Sequence, residues 1–186
     1  MRHILLAELL LGASLGSQAQ PASLVPNGKA LPASKAPVVP LAKGQLAPDL
    51  RLMDTTGKAV ALHDLRGKVV YLDFWFSGCR PCLAEAPAAA KLKQQFAGRE
   101  VVFVYISIET YVEKWRQTIE KNALAGPGSI HLLDPEGKYA ARAYRVEGFP
   151  TYLILDRQGR VWNGSAPRPS DGRRTVQALE AALAIR

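Results

Sequence analysis

The chain has 186 residues, 48% of them apolar and 22% charged, with two cysteines and 24 Lys plus Arg against 16 Asp plus Glu, a formal net charge of +8. These proportions suit one soluble domain with a leader or tail, and they exclude a second large domain, a disulfide-dense scaffold and a four-cysteine zinc site. The positive charge is dispersed, with only Arg168, Arg173 and Arg174 gathered near the C-terminus, so nucleic acid is not an expected partner.

Arg2 and His3 precede a mostly apolar run from Ile4 to Leu15, and Ser17-Gln18-Ala19 supplies small residues where a signal peptidase reads. A cleavable secretory signal over residues 1–19 is the expectation, with a periplasmic or otherwise extracytoplasmic destination. Glu8 interrupts the run, which is short for a bilayer span, so an uncleaved leader acting as a membrane anchor is the lesser alternative and a soluble extension another. From residue 20 to 46, Pro21, Pro26, Pro32, Pro37 and Pro40 stand too close together for helix or central strand, and the stretch reads as a disordered tether. The folded domain is expected over 47–186.

Within that domain Leu50 to Met53 and Ala59 to Leu62 flank Asp54-Thr55-Thr56-Gly57-Lys58, which predicts a hairpin. Asp64 and Gly67 bracket a second turn. Val69 to Phe76 is an apolar and aromatic run broken only by Asp73, as in a strand buried on both faces. Leu83 to Phe96 is rich in helix formers and Gly98 stops the pattern. Val101 to Ile108 predicts a strand. Tyr111 to Leu124 predicts a helix with Val112, Trp115, Ile119 and Ala123 on one face. Ser129 to Leu133 predicts a strand and Lys138 to Tyr144 a short helix. Thr151 to Leu155 and Arg160 to Trp162 form a hairpin around Asp156-Arg157-Gln158-Gly159, and Asp171 to Ile185 is an amphipathic helix. Alternating strands and helices with a hairpin at each end imply an α/β fold on a mixed sheet.

The chemistry sits at Cys79-Arg80-Pro81-Cys82, where the buried strand gives way to a helix. Two thiols spaced by two residues on a first helical turn can close a small disulfide, the first sulfur at the open end and the second turned inward. Unpaired N–H groups at the helix start and the adjacent Arg80 favour a thiolate on Cys79, and Pro81 fits a position whose N–H is unpaired anyway. Lowering a thiol pKa from about 8.5 to about 7 raises its thiolate fraction about 16-fold at pH 7, yet lost nucleophilicity leaves a net gain of only about 3-fold. The larger consequence is redox poise, because a stabilised thiolate stabilises the reduced form. As a staple the pair would close a four-residue loop, the least useful place for a bridge. As a metal site it would need His63, His131 or carboxylates at spacings that do not match, so neither a metal nor an organic cofactor is expected.

These residues resemble the thioredoxin superfamily, in its extracytoplasmic TlpA/ResA-like branch of thiol-disulfide oxidoreductases, from about Ala47 to the C-terminus. Ala47-Pro48-Asp49, Gly57-Lys58 and Leu65-Arg66-Gly67-Lys68-Val69-Val70 resemble its N-terminal hairpin and approach to the central strand. Asp73-Phe74-Trp75, Cys79, Cys82, Glu85 and Pro87 resemble its active-site block, and Val146-Glu147-Gly148-Phe149-Pro150-Thr151 its cis-proline loop. The long separation of Cys82 from Pro150 resembles the insertion typical of the branch. The resemblance implies a thioredoxin-like α/β fold with that hairpin and insertion. It implies catalysis by Cys79 and Cys82 and tuning of the pair by Glu85; Asp73, partly desolvated in its apolar strand, is suited to take the Cys82 proton, with Glu85 as the other group that can help. It further implies docking of an extended substrate segment beside Phe149 and a cis Pro150. Protein dithiols and disulfides as substrates, a membrane thiol donor, a monomeric chain and a place in cytochrome c maturation are carried with it. Gly78 departs from the pattern, since most relatives carry Trp there, and the substitution removes an apolar wall beside the first sulfur. A peroxiredoxin-like peroxidase would need Thr where Phe76 stands; a copper-handling or binding module of the same fold is the alternative from another class.

Overall fold

A computed structural model describes residues 39–185; the leader and most of the predicted tether lie outside them. Seven strands, β1 (Arg51–Asp54), β2 (Ala59–Ala61), β3 (Val69–Trp75), β4 (Val101–Ser107), β5 (Ser129–Leu133), β6 (Thr151–Leu155) and β7 (Val161–Asn163), form one sheet in the order β2-β1-β5-β4-β3-β6-β7. β3, β4 and β5 run parallel to one another, while β1, β2, β6 and β7 join antiparallel, so the sheet is mixed. The helices are α1 (Arg80–Ala84), α2 (Ala86–Gln95), α3 (Val112–Lys121), α4 (Tyr139–Ala143) and α5 (Arg173–Leu183). β5 and α4 lie between the cysteine helix and Pro150, and β5 provides the edge on which the N-terminal hairpin pairs.

Side-chain alternation divides the two central strands between two cores. Val69, Tyr71 and Trp75 of β3, with Val101, Phe103 and Tyr105 of β4, face Leu92, Phe96, Trp115, Ile119 and Leu179. Val70, Leu72 and Phe74, with Val102, Val104 and Ile106, face Leu62, Ala140 and Tyr144. Each fully buried side chain of this size contributes about 1.5–3 kcal/mol. Asp73 falls on the first of these faces by the same period-2 rule, a carboxyl among aromatic rings beneath α1 and α2.

Several boundaries differ from the sequence reading. The stretch predicted as one helix, Leu83 to Phe96, breaks at Glu85, because Pro87 has no N–H to give the Leu83 carbonyl and the helix restarts at Ala86. α3 stops at Lys121 and Ala123 takes φ +48°, so Leu124 rather than Ala123 enters the core, while Val112 stays exposed. The C-terminal helix starts at Arg173, after a 3-10 turn at Pro169–Asp171 and Gly172 at φ +57°. The end of the stretch read as a tether is built into the fold: Leu41 is buried in the second core, and Gly44 and Gln45 exchange backbone hydrogen bonds with Val161. A buried leucine and a paired strand edge offset the ordering cost that the proline-rich composition suggested would go unmet.

Candidate active site

β3 delivers the chain through Phe76-Ser77-Gly78 to Cys79, the N-cap of α1, whose sulfur accepts the Cys82 N–H at 3.2 Å. Pro81 occupies the first turn, where its missing N–H costs no helical bond. α1 lasts only five residues, so support for a Cys79 thiolate comes from that local N–H more than from a macrodipole. The two cysteines form a disulfide with Cα atoms 5.3 Å apart.

The expectation of an open first sulfur is corrected, for Cys79 is 4% and Cys82 7% exposed. Half-buried Phe76 and Phe149 pack on the cluster that holds both cysteines, and their rings meet edge to face at 5.4 Å. A Cβ at Gly78 would stand 3.1 Å from Phe76 Cε2. The Phe76 ring therefore lies against the space that a larger residue at 78 would need. Phe149 is joined to Pro150 by a cis peptide bond at the start of β6, the neighbour of β3, which brings this loop beside the cysteine turn.

Behind Cys82 lies a cavity of about 10 Å³, room for one water molecule, lined among others by Asp73, Trp75, Glu85, Lys93 and Tyr105. Asp73 is 6% exposed and its Oδ1 has no hydrogen-bond partner among the described residues. Burial pushes its pKa up to about 8; the nearby Glu85 carboxyl adds to the rise, while Tyr152 and Lys93 oppose it. Tyr71, Tyr105 and Tyr152, desolvated around it, are held far above the usual phenol range and stay neutral. Trp75 packs beneath the site with its Nε1 unpartnered among the described residues.

The two acidic residues differ in what they touch. Glu85, placed inward by the helix break, accepts the Ser170 N–H on Oε2 and the Ser170 hydroxyl on Oε1, each at 2.8 Å. Ser170, 85 residues away in the 3-10 turn before α5, carries no local motif that could have announced it. Ser170→Ala removes one hydrogen bond to a buried acid and is expected to cost about 1.5–3 kcal/mol, read as a lower denaturant midpoint at unchanged slope. The sequence reading also missed Glu109, which accepts from Ser77 Oγ and pairs with Lys114 at 3.2 Å, anchoring the turn before Cys79. These bonds hold its carboxyl below the usual range against its desolvation.

The histidines considered as metal ligands lie apart from the cysteines' contacts. His63 Nδ1 meets Asp49 Oδ2 at 2.6 Å near the N-terminal hairpin. His131 stacks on Tyr105 at 4.6 Å between centroids, its pKa lowered to about 4 by burial and then by Lys93. Among the described residues no group of three or more His, Cys, Asp or Glu stands together as a metal site.

Comparison with known proteins agrees with this geometry. The Redoxin family profile matches residues 42–183. Thioredoxin-like protein YneN of Bacillus subtilis is 35% identical over 125 residues, 66% of this chain and 71% of the relative. Thiol-disulfide oxidoreductase ResA of the same organism is 30% identical over 121 residues, 65% of each chain. The crystal structure of the thioredoxin domain of a thiol-disulfide oxidoreductase from Bacteroides vulgatus superposes with a TM-score of 0.67 at 28% identity, covering 77% of this chain and 99% of that one. With a mixed seven-stranded sheet and a Cys79–Cys82 disulfide at the head of its first helix, the chain belongs to the Redoxin family and, within it, to the ResA-like thiol-disulfide oxidoreductases of thioredoxin fold.

Proposed function

We propose that the protein is an extracytoplasmic reductase of protein disulfides in which Cys79 attacks, Cys82 resolves and Asp73 takes the Cys82 proton. The observation that carries this reading is the shared cavity behind the pair, where Cys82 and an Asp73 carboxyl whose Oδ1 has no hydrogen-bond partner among the described residues line the same small volume. Reduced Cys79, as thiolate, attacks one sulfur of the substrate disulfide and expels the other as thiolate. Cys82 passes its proton to Asp73 and attacks Cys79 Sγ, which releases the second substrate thiolate and leaves the Cys79–Cys82 disulfide. Two electrons pass to the substrate; the Cys82 proton, held on Asp73, and one proton from solvent, in place of the one Cys79 had already lost, neutralise the two released thiolates.

Glu85, held by both Ser170 bonds, serves to tune the pair rather than as the proton carrier. Phe149 and Pro150, packed beside Phe76, form the face that receives an extended substrate segment. A membrane thiol donor re-reduces the pair, the protein acts as a monomer, and no organic cofactor or metal takes part. The basic, apolar leader over 1–19 supports export, and the ResA-like resemblance supports a place in cytochrome c maturation. The reduction potential of the pair, measured against glutathione or dithiothreitol, is expected below about −250 mV, together with reduction of insulin disulfides. A potential near −120 mV makes it an oxidase, and metal retention without insulin reduction favours the copper-handling alternative.

A further inference from the structure

Lys93 on α2 is 2% exposed, an uncommon place for an ammonium. Its socket is well defined. Nζ donates to the Leu124 carbonyl, and the Tyr105 ring centroid is 5.2 Å away. Gly126 passes so close that a Cβ there would stand 3.1 Å from Lys93 Cε and 3.4 Å from Nζ. The same side chain lines the cavity behind Cys82 with Asp73 and Glu85.

The titratable groups facing Asp73 or this cavity come from every element packed around it: Cys82 and Glu85 from the α1–α2 junction, Tyr71 from β3, Tyr105 from β4 and Tyr152 from β6. His131 on β5 adjoins through the Tyr105 stack, and Arg168 acts on Tyr152 from the turn before α5. Among the described residues Lys93 is the one cation lining the cavity. Two carboxyls facing so small a volume resist simultaneous ionisation unless a cation stands with them.

We propose that Lys93 is a positioning residue for the resolving half-reaction: from its Leu124–Gly126 socket the ammonium offsets the Asp73–Glu85 pair, so that Asp73 can accept the Cys82 proton near neutral pH. The proposal rests on the reading of Asp73 as proton acceptor. The proton moves from Cys82 Sγ to the Asp73 carboxylate, the Cys82–Cys79 bond forms and the bond from Cys79 to the substrate sulfur breaks. Lys93 exchanges neither proton nor electron.

Reduced protein mixed with one equivalent of a chromogenic aryl disulfide releases aryl thiolate in two phases, the first from attack by Cys79 and the second from attack by Cys82. Lys93→Met is expected to move the limb on which the second phase rises with pH up by about one pH unit, slowing it up to about tenfold at pH 7 and little above pH 9. Lys93→Arg keeps the limb near that of the wild type, and in an Asp73→Asn background Lys93→Met moves nothing further. A limb that stays in place in Lys93→Met, or a slowing equal at every pH, overturns the proposal. A second phase unchanged by Asp73→Asn alone overturns the parent reading as well, and shows it without any Lys93 variant. If Lys93→Met fails to fold, the wild type decides: the carbon-13 resonance of Lys93 Cε, assigned by its loss in Lys93→Arg, shows an inflection at the Asp73 midpoint. A curve flat through that midpoint overturns the proposal.

Discussion

Cys82→Ser is expected to accumulate a covalent adduct between Cys79 and a protein or peptide disulfide substrate, whereas Cys79→Ser forms none and loses at least about a thousandfold in disulfide-reduction rate. The asymmetry comes from where the two sulfurs sit. Cys79 caps α1 and receives the Cys82 N–H, which favours its thiolate once the pair is reduced. Cys82 lines the inner cavity with Asp73, away from the cap position that Cys79 holds. Intact mass and non-reducing electrophoresis distinguish the variants, and an adduct on Cys79→Ser in place of Cys82→Ser reverses the assignment.

Asp73→Asn is expected to slow the resolving step about a hundredfold at pH 7 while stabilising the fold by a few kcal/mol at and above that pH. Both effects follow from a carboxyl that burial pushes up to about 8. The unfolded chain releases this proton near pH 4. Below that, both states hold it and Asp73 gives no pH-dependent penalty. Between about pH 4 and 8 the unfolded state ionises while the folded state keeps its proton, so stability falls steadily as pH rises and levels off above 8. The amide of the variant has no such proton to release, so the gap between variant and wild type opens over that window. Denaturant curves at pH 4, 6 and 8 check this, and parallel curves at all three would show that burial does not set the Asp73 protonation state. At pH 7 a pKa near 8 leaves about a tenth of the carboxyls ionised, enough for proton transfer in each turnover and few enough to keep the buried charge tolerable.

The elements legible in the sequence were those written in local pattern. Val69 to Trp75 reads as a doubly buried strand because it is apolar at every position but Asp73, and the paired hairpins follow from turn residues at Gly57 and Gly159. The Cys79-Arg80-Pro81-Cys82 spacing placed the redox pair at a helix start, where the structure has it. Less legible were the ends of elements: Pro87 divides the active-site helix, Gly172 delays the last one, and Leu41 enters a core despite the prolines around it.

Residue types and their near neighbours therefore determined the strands, the cysteine turn and the family, because hydrophobic period, turn chemistry and thiol spacing act over a few residues. Tertiary structure alone decided that Ser170 would occupy Glu85, that Lys93 would line one cavity with Asp73, that Glu109 would hold Ser77, and that Phe76 and Phe149 would meet edge to face on the cluster holding a pair expected to be open. Each of those contacts joins segments distant along the chain, and its energy comes from removing water between groups that no local pattern brings together.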